Sequence, residues 1–468
     1  MGSGAGAVPR YRGAVPTSKA IPEERTPGRP RSHWGPGSRS RRRGRADRAT
    51  GRRRLVLDLL ALIGASFICL LAIGAIVPLP VLSYALMLGA WGLDAAVALT
   101  LLAIAAGWRA LRRRREPGAR TRLATAGLLC LALALMGWIG AAQIRFAHAQ
   151  GVDLSIRDLT GAGQWGRAPD VAPVVLADGA SRQTLLAGIW YPHGKAPGAG
   201  DGEKAPIVIL LHGGGWRTGD RDNPMTRIQA DWLADQGYLA IALEYPLSLR
   251  DTPTWELAQS RLECSLAWVG SHAEEHGGDA GRLAVVGDSA GGHLALETAY
   301  RQALGELDPS GPDAPVDENG EALPACQGSV PTIRAVATTY PITDPTVFHD
   351  NPDPIMSGPV AGRARLYAGG SPAQYPERYA SIDPTRKAAA VGAAAPPVLI
   401  VHGEEDHVVP VSGTRDFDAV LEEAGARHET IVVPYADHVF DLNGGSVASQ
   451  IWREKTLALL RDAGMGAG

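Results

Sequence analysis

Leu283-Ala284-Val285-Val286-Gly287-Asp288-Ser289-Ala290-Gly291-Gly292-His293-Leu294-Ala295 is the stretch on which the reading of this chain turns. The four apolar residues at its start have the character of a buried strand, the residues after Ala290 have that of a helix, and Ser289 stands on the turn between them. Glycines two before and two after the serine remove the Cβ atoms that would obstruct so sharp a turn, which is the pattern of a nucleophile elbow. Alone the pentapeptide Gly287 to Gly291 is a weak signal, because short Gly/Ser patterns recur in ordinary turns.

Two further stretches strengthen it. About 75 residues upstream, the apolar run Ile207 to Leu211 ends in His212-Gly213-Gly214-Gly215-Trp216, where consecutive glycines leave backbone N–H groups free to point at a developing negative charge. Downstream, the strand pattern Pro397 to His402 leads into Gly403-Glu404-Glu405-Asp406-His407, and Thr430 to Val433 leads into Pro434-Tyr435-Ala436-Asp437-His438. Ser289, Asp406 and His438 then fall in the chain order nucleophile, acid, base, with each group at the carboxyl end of a strand. In that reading His438 takes the proton of Ser289 as it attacks an ester carbonyl, Asp406 holds the imidazole tautomer, and an acyl-enzyme forms. Glu405 is the alternative acid. His402 reads as a packed core histidine, His407 and Asp437 as neighbours of the site or solvent-facing groups, and Glu404 is a further competing carboxylate. Trp216 and Asp288 are candidate substrate-pocket groups, packing beneath the loop being the alternative for Trp216.

From about Asp170 to Leu460 the chain resembles the α/β-hydrolase superfamily, in particular the esterase/lipase branch with an HGGG loop, the hormone-sensitive-lipase-like carboxylesterases. The resemblance rests on His212 to Trp216 and on Gly281 to Ala295. It implies a mostly parallel sheet flanked by helices with a small cap insertion, and an oxyanion hole made by the N–H of Ala290 with two of those of Gly213, Gly214 and Gly215. Glu244-Tyr245-Pro246 departs from the branch's usual Asp-Tyr-Arg, which leaves subfamily and substrate open. No HExxH, paired CxxC or phosphate-loop pattern occurs, so no metal, nucleotide or other cofactor is implied.

The amino-terminal third has a different character. Leu55 to Pro78, Val81 to Trp108 and Leu123 to Ile144 are each apolar and long enough to cross a bilayer core of about 30 Å. The expected fold is thus an all-α region of three transmembrane helices followed by an α/β domain. Residues 1–54 hold 15 Lys/Arg against 3 Asp/Glu, and the 109–122 loop holds 7 against 1, so the overall charge of −2 conceals a basic end and an acidic domain. By the positive-inside rule the arm and that loop are cytoplasmic and the hydrolase domain is extracytoplasmic. The Gly-, Pro-, Ser- and Arg-rich arm reads as disordered, its arginine clusters suited to membrane lipids. Topology already accounts for these arginines, so no nucleic-acid partner is implied. Asp94 marks either a contact between helices or a shifted span.

Cys69 and Cys130 fall in the spans and read as small apolar residues. Cys264 lies on the helical stretch Trp255 to His272 and Cys326 in the polar insertion between Gly305 and Val330; outside the cell they are expected to pair, two free thiols being the alternative. Residues 148–169 read as a linker, 170–462 as the catalytic domain, and 341–395 as the cap, with Tyr367, Tyr375 and Tyr379 as pocket-wall or packing groups. Strands are expected at 184–191, 207–211, 238–244, 283–287, 335–339, 398–402 and 430–433. The leading function is a membrane-anchored serine carboxylesterase or lipase acting on an ester, with lipid and cell-envelope esters as substrates. An acyltransferase or deacetylase of an envelope polymer, and a non-catalytic recognition module, are the alternatives.

Overall fold

The computed structural model describes residues 37–77, 81–160, 165–177, 184–194, 196, 203–316, 320–321 and 323–467. Residues 1–36 of the basic arm and 78–80 of the link after the first span lie outside the described residues. The chain divides into two compact units, residues 1–57 and residues 58–468. In the first, the described part is continuous helix, the beginning of α1 (Gly37–Gly74). Residues 37–54, read above as disordered, are therefore helical. Their arginines and alanines are good helix formers, and the apolar run that follows carries the hydrogen-bond ladder backward into them.

The second unit continues through α2 (Gly92–Arg112) and α3 (Ala119–Ala149). Three helical segments, Thr50–Gly74, Ser83–Arg112 and Ala119–Ala149, are long and apolar enough to cross a membrane. The first nine residues of the second, Ser83–Trp91, wind as a 3₁₀ helix. Small residues, Ala65, Cys69, Ala72, Ala103 and Ala132, fill the seam with Leu99 and Leu129, as close approach of helix backbones requires. Leu101, Ile104 and Leu131 are exposed outward. Asp58 is buried and bonds Arg109 at 2.8 Å and Arg122 at 2.5 Å, while Asp94 is exposed in the first turn of α2. Cys69 and Cys130 are free thiols.

The segment read as a linker is packed. Val152 is buried in the core of the following domain beside Ala147 of α3, and the Gln450 side chain holds the backbone of Ser155 at both N (2.7 Å) and O (3.3 Å). After α4 (Ile156–Leu159) come β1 (Val171–Ala177), β2 (Leu185–Trp190), β3 (Ala205–Leu211), α5 (Pro224–Asp235), β4 (Leu239–Leu243), α6 (Trp255–His272), β5 (Gly278–Asp288), α7 (Ala290–Leu304) and β6 (Ile333–Thr339). Four short helices follow, α8 (Pro345–His349), α9 (Ser357–Ala368), α10 (Pro376–Ser381) and α11 (Pro384–Val391), in the region read as the cap. The chain closes with β7 (Val398–Gly403), α12 (Val411–Glu423), β8 (His428–Val433) and α13 (Val447–Asp462).

The eight strands form one sheet in the order β1-β2-β4-β3-β5-β6-β7-β8. β1 and β2 run antiparallel to their neighbours and the rest are parallel. Strand β1 was not anticipated: its Val-Ala-Pro-Val-Val-Leu-Ala sequence carries Pro173, which a sheet accommodates at an edge. Alternation along the central strands builds two cores. Ile207, Ile209 and Leu211 of β3 face α6 and α7, whereas Val208 and Leu210 face α5 and α13. A sheet buried on both faces is what near-continuous apolar runs encode. Because β3 crosses to β4 on one side and β5 follows on the other, the strand order reverses at the carboxyl ends of β3 and β5, where open α/β sheets form their clefts.

Candidate active site

Ser289 joins β5 to α7 at φ 52° and ψ −115°, a conformation a non-glycine residue holds only when its surroundings enforce it. A Cβ on Gly287 would overlap the Gly291 backbone, and one on Gly291 would overlap the Leu211 carbonyl, so both glycines are required by close approach. The Ser289 N–H donates to the Thr339 carbonyl at 3.0 Å, tying the turn to β6. Ala290 begins α7, whose first N–H groups are unpaired within the helix and point toward the cleft end of the sheet.

His438 follows β8 and Asp406 follows β7. His438 Nδ1 bonds Asp406 Oδ2 at 2.7 Å. The other carboxylate oxygen of Asp406 accepts the N–H groups of Val408 (2.8 Å) and Val409 (2.7 Å). Burial alone would raise the Asp406 pKa. The His438 charge and the hydrogen bonds of His402 and His438 outweigh it and hold the carboxyl well below the usual range. Burial likewise disfavours imidazolium at His438, but the Asp406 carboxylate overcomes this and raises its pKa. Ser289 and His438 are both nearly buried, and the Ser289 hydroxyl has no hydrogen-bond partner among the described residues.

The competing residues separate clearly. His402 is fully buried, its Nε2 donating to the Val409 carbonyl (3.1 Å) while its Nδ1 bonds the Thr414 hydroxyl (2.8 Å). Glu404 and Glu405 anchor their loop through backbone N–H groups, to Val433 and Ala436. Asp437 is buried rather than solvent-facing: it accepts the backbone N–H groups of His407 (3.0 Å) and His438 (2.7 Å) and bonds His407 Nδ1 at 2.6 Å. It thereby clamps together the two loops that carry Asp406 and His438. His407 Nε2 in turn lies 2.9 Å from the Ser83 hydroxyl, the Tyr84 ring packs on the His407 ring at 4.3 Å, and the Tyr84 hydroxyl donates to Asp353.

In the glycine loop, Gly214 and Gly215 have φ of 123° and 61°, which places them in glycine's territory. Gly213 lies against the Asp288 carboxylate, and a Cβ there would collide with it. Asp288 itself is buried, and burial together with the charge of Asp441 pushes its pKa up to about 7. Tyr245, which sequence reading noted only as part of a departure, fixes the loop: its hydroxyl donates to the His212 carbonyl (2.7 Å) and its ring stacks on His212 at 4.3 Å. Glu244 bonds Arg221 at 3.0 Å and lies 3.4 Å from His212 Nε2. Trp216 is fully buried, stacked on Tyr367 of α9 at 4.2 Å and edge-on to His293 and Phe348, so it packs the loop against the cap helices. Tyr379 is buried and donates to the Gly370 carbonyl, whereas Tyr375 is exposed. Beside His438 a further group escaped sequence reading: Tyr340 packs on the imidazole at 4.3 Å and donates to Asp441, which also accepts from Gln229 at 2.8 Å. No local pattern signals it, since its members are some 100 or more residues apart. Cys264 and Cys326 are joined as a disulfide. Among the described residues no group of three or more His, Cys, Asp or Glu is placed to hold a metal ion.

A strained serine between β5 and α7 and a buried imidazole–carboxylate pair after β8 and β7, on this strand order, identify the fold. The domain is an α/β-hydrolase. Thermogutta terrifontis esterase 2 phosphonylated by sarin matches it with a TM-score of 0.50 at 22% identity, covering 64% of this chain and 98% of that one. The family model BD-FAE matches residues 196–421. Among curated relatives, the probable carboxylic ester hydrolase LipM of Mycobacterium tuberculosis is 27% identical over 255 residues, 52% of this chain and 52% of its own. Esterase LipQ of the same organism is 27% identical over 271 residues, 56% of this chain and 55% of its own. The chain thus spans about half the length of the curated relatives it matches. Its α/β-hydrolase resembles the hormone-sensitive-lipase-like carboxylesterases, behind an apolar helical region.

Proposed function

We propose that the chain is a membrane-anchored serine carboxylic-ester hydrolase, with Ser289 as nucleophile, His438 as base and Asp406 as the acid that orients it. The observation that carries this reading is the 2.7 Å His438 Nδ1 to Asp406 Oδ2 bond. It leaves Nε2 of the neutral imidazole as the free acceptor, on a sheet whose β5–α7 turn displays a serine. His438 Nε2 takes the Ser289 proton as Oγ bonds to the ester carbonyl carbon, and the carbonyl oxygen becomes an oxyanion. The donors for the oxyanion are the N–H of Ala290 with two of those of Gly213, Gly214 and Gly215. Each such donor contributes roughly 3–4 kcal/mol of transition-state stabilisation. Collapse breaks the ester C–O bond, His438 returns the proton to the leaving alcohol, and water repeats the sequence to release the acid and free Ser289.

The three apolar helices support anchoring in a bilayer. The positive loop at 109–122 supports a cytoplasmic position for that loop and an extracytoplasmic domain, where lipid and cell-envelope esters would be the substrates. Turnover of a short-to-long p-nitrophenyl ester series by the full chain in detergent, with Ser289→Ala as control, tests the reading. Activity lost in the variant, together with fluorophosphonate labelling of Ser289, supports it. A folded chain with neither turnover nor labelling overturns it in favour of a recognition role.

A further inference from the structure

The apolar helices and the hydrolase domain enclose a cavity of about 630 Å³, within the size range of small-molecule sites. Its walls come from all three membrane-type segments, with Leu71, Leu99 and Met136 among them. Its roof is made by Tyr435 and by the turn from Asn443 to Val447, which belong to the same β8–α13 connection as His438. The polar groups at the roof are already satisfied. Gln143 Nε2 donates to the carbonyls of Pro434 (3.1 Å) and Tyr435 (3.3 Å), and Asn443 Nδ2 donates to the Ala90 carbonyl (2.8 Å). What remains is an apolar volume with few polar partners for water, which such a space does not hold in order. Its rim includes Leu88, Leu93 and Leu102, all exposed on the outer surface of the helices. At bilayer depth the medium in contact with that rim is hydrocarbon.

We propose that this cavity is a binding site for one hydrocarbon chain of a membrane lipid, entering from the bilayer past the exposed rim of the second span and ending beneath the loop that carries His438. The inference rests on the membrane-spanning part of the proposed function and deepens it, because it gives the enzyme a lipid contact on the base side of its catalytic groups. Hydrocarbon is the only abundant solute at that depth, and the chain's own side chains leave the space unfilled: a Cβ added at Gly140 or at Gly92, both lining residues, would meet no atom within 4 Å. The amphipathic character of the cavity, apolar walls under a hydrogen-bonded polar roof, matches a chain whose ester end lies uppermost.

The test uses the full chain bearing Ser289→Ala, so that no turnover contributes, in phospholipid nanodiscs containing a phosphatidylglycerol with a diazirine in one acyl chain. After irradiation, adducts are mapped by peptide mass spectrometry. Adducts are expected on the 435–447 segment as well as on the outward residues Leu101 and Leu131. Gly140→Leu and Gly92→Leu put a side chain into the unfilled space, and leucine is a better helix former than glycine. Each is expected to reduce labelling of 435–447 at least fivefold while leaving Leu101 and Leu131 labelled as before. Absence of adducts on 435–447, or equal labelling in both filled variants, overturns the lipid site. Absence of adducts on Leu101 and Leu131 overturns the membrane-spanning reading and the site with it. Since labelling needs no catalysis, a parent chain inactive on every ester but labelled on 435–447 would remove the hydrolase reading and leave the lipid site standing.

Discussion

Replacing Asp406 by Asn changes one atom, and the structure dictates where that atom goes. Oδ1 of Asp406 accepts two backbone N–H groups, from Val408 and Val409, and an amide nitrogen in that position would face two donors. The Asn side chain must therefore keep its oxygen there and turn Nδ2 toward His438 Nδ1 and His402 Nε2. His402 Nε2 already donates to the Val409 carbonyl, so the donor–acceptor conflict is relieved at His438, which places its proton on Nε2 and presents a lone pair to the amide. That tautomer has no acceptor for the Ser289 proton. The loss expected is that of a base held in the wrong tautomer, about 10⁴-fold in kcat, or roughly 5.4 kcal/mol of barrier. Binding of the ester is untouched, so KM should move less than about threefold, since the changed atom contacts no substrate. The assay is steady-state hydrolysis of a short p-nitrophenyl ester by full-length Asp406→Asn and parent chain at pH 8, with circular dichroism to establish that both are folded. A folded variant retaining more than a tenth of parent kcat would refute the reasoning, and an equal loss in Glu405→Gln would move the acid to Glu405.

The same electrostatics set a pH dependence. The His438 pKa is raised by Asp406, and the base must be neutral, so kcat/KM should rise with pH through a midpoint above the 6.5 of free histidine; a midpoint below 6.5 contradicts the pairing. In stability the same pair works in the opposite sense: the protonated imidazole is favoured in the fold, so its contribution is complete below pH 6.5 and is lost as pH rises through the folded value. Glu297, buried on α7 with Lys387 Nζ 3.5 Å away, has its pKa pushed up to about 8 by desolvation. Between about pH 4.5 and 8 the folded chain holds a proton the unfolded chain has released, so stability falls as pH rises, and thermal unfolding of Glu297→Gln in detergent should show a shallower fall than the parent. An identical pH slope would mean Glu297 is ionised in the fold. The Cys264–Cys326 bond closes a loop with a sequence separation of 62, which by loop-closure entropy amounts to about 4 kcal/mol. The Cys264→Ser/Cys326→Ser chain should unfold about 6 °C lower, and non-reducing peptide maps that find both thiols free would cancel the expectation.

What was legible in the sequence follows from how local each signal is. The turns at Ser289 and at Gly213 to Gly215 advertise themselves because tight backbone geometry needs small residues next to one another in the chain. The parallel strands are equally plain, since burial on both faces leaves uninterrupted apolar runs such as Ile207 to Leu211. β1 was silent because an edge strand carrying Pro173 needs neither strong alternation nor a full ladder. Residues 37–54 were read by composition as disordered, yet continuity with an apolar helix decides their conformation. Asp437 gave no sign of its burial, because its partners His407 and His438 converge from two loops, and only their meeting in space turns an ordinary carboxylate into a clamp. Tyr245 and Asp441 are silent for the same reason, each reporting on a contact with a distant segment.

The contact of Ser83 and Tyr84 with His407 bears on how the chain comes to be assembled. Ser83 and Tyr84 precede His407 by more than 320 residues, so the helical segment that carries them is synthesised first. The two loops that close around Asp437 therefore pack against a segment made earlier in the chain. Fusing this domain to a different anchor would leave His407 with no hydroxyl beside its Nε2 and no ring against its face. The two halves of the chain are in this respect one inheritable unit, and the apolar helical region is a part of the scaffold of the α/β-hydrolase fold.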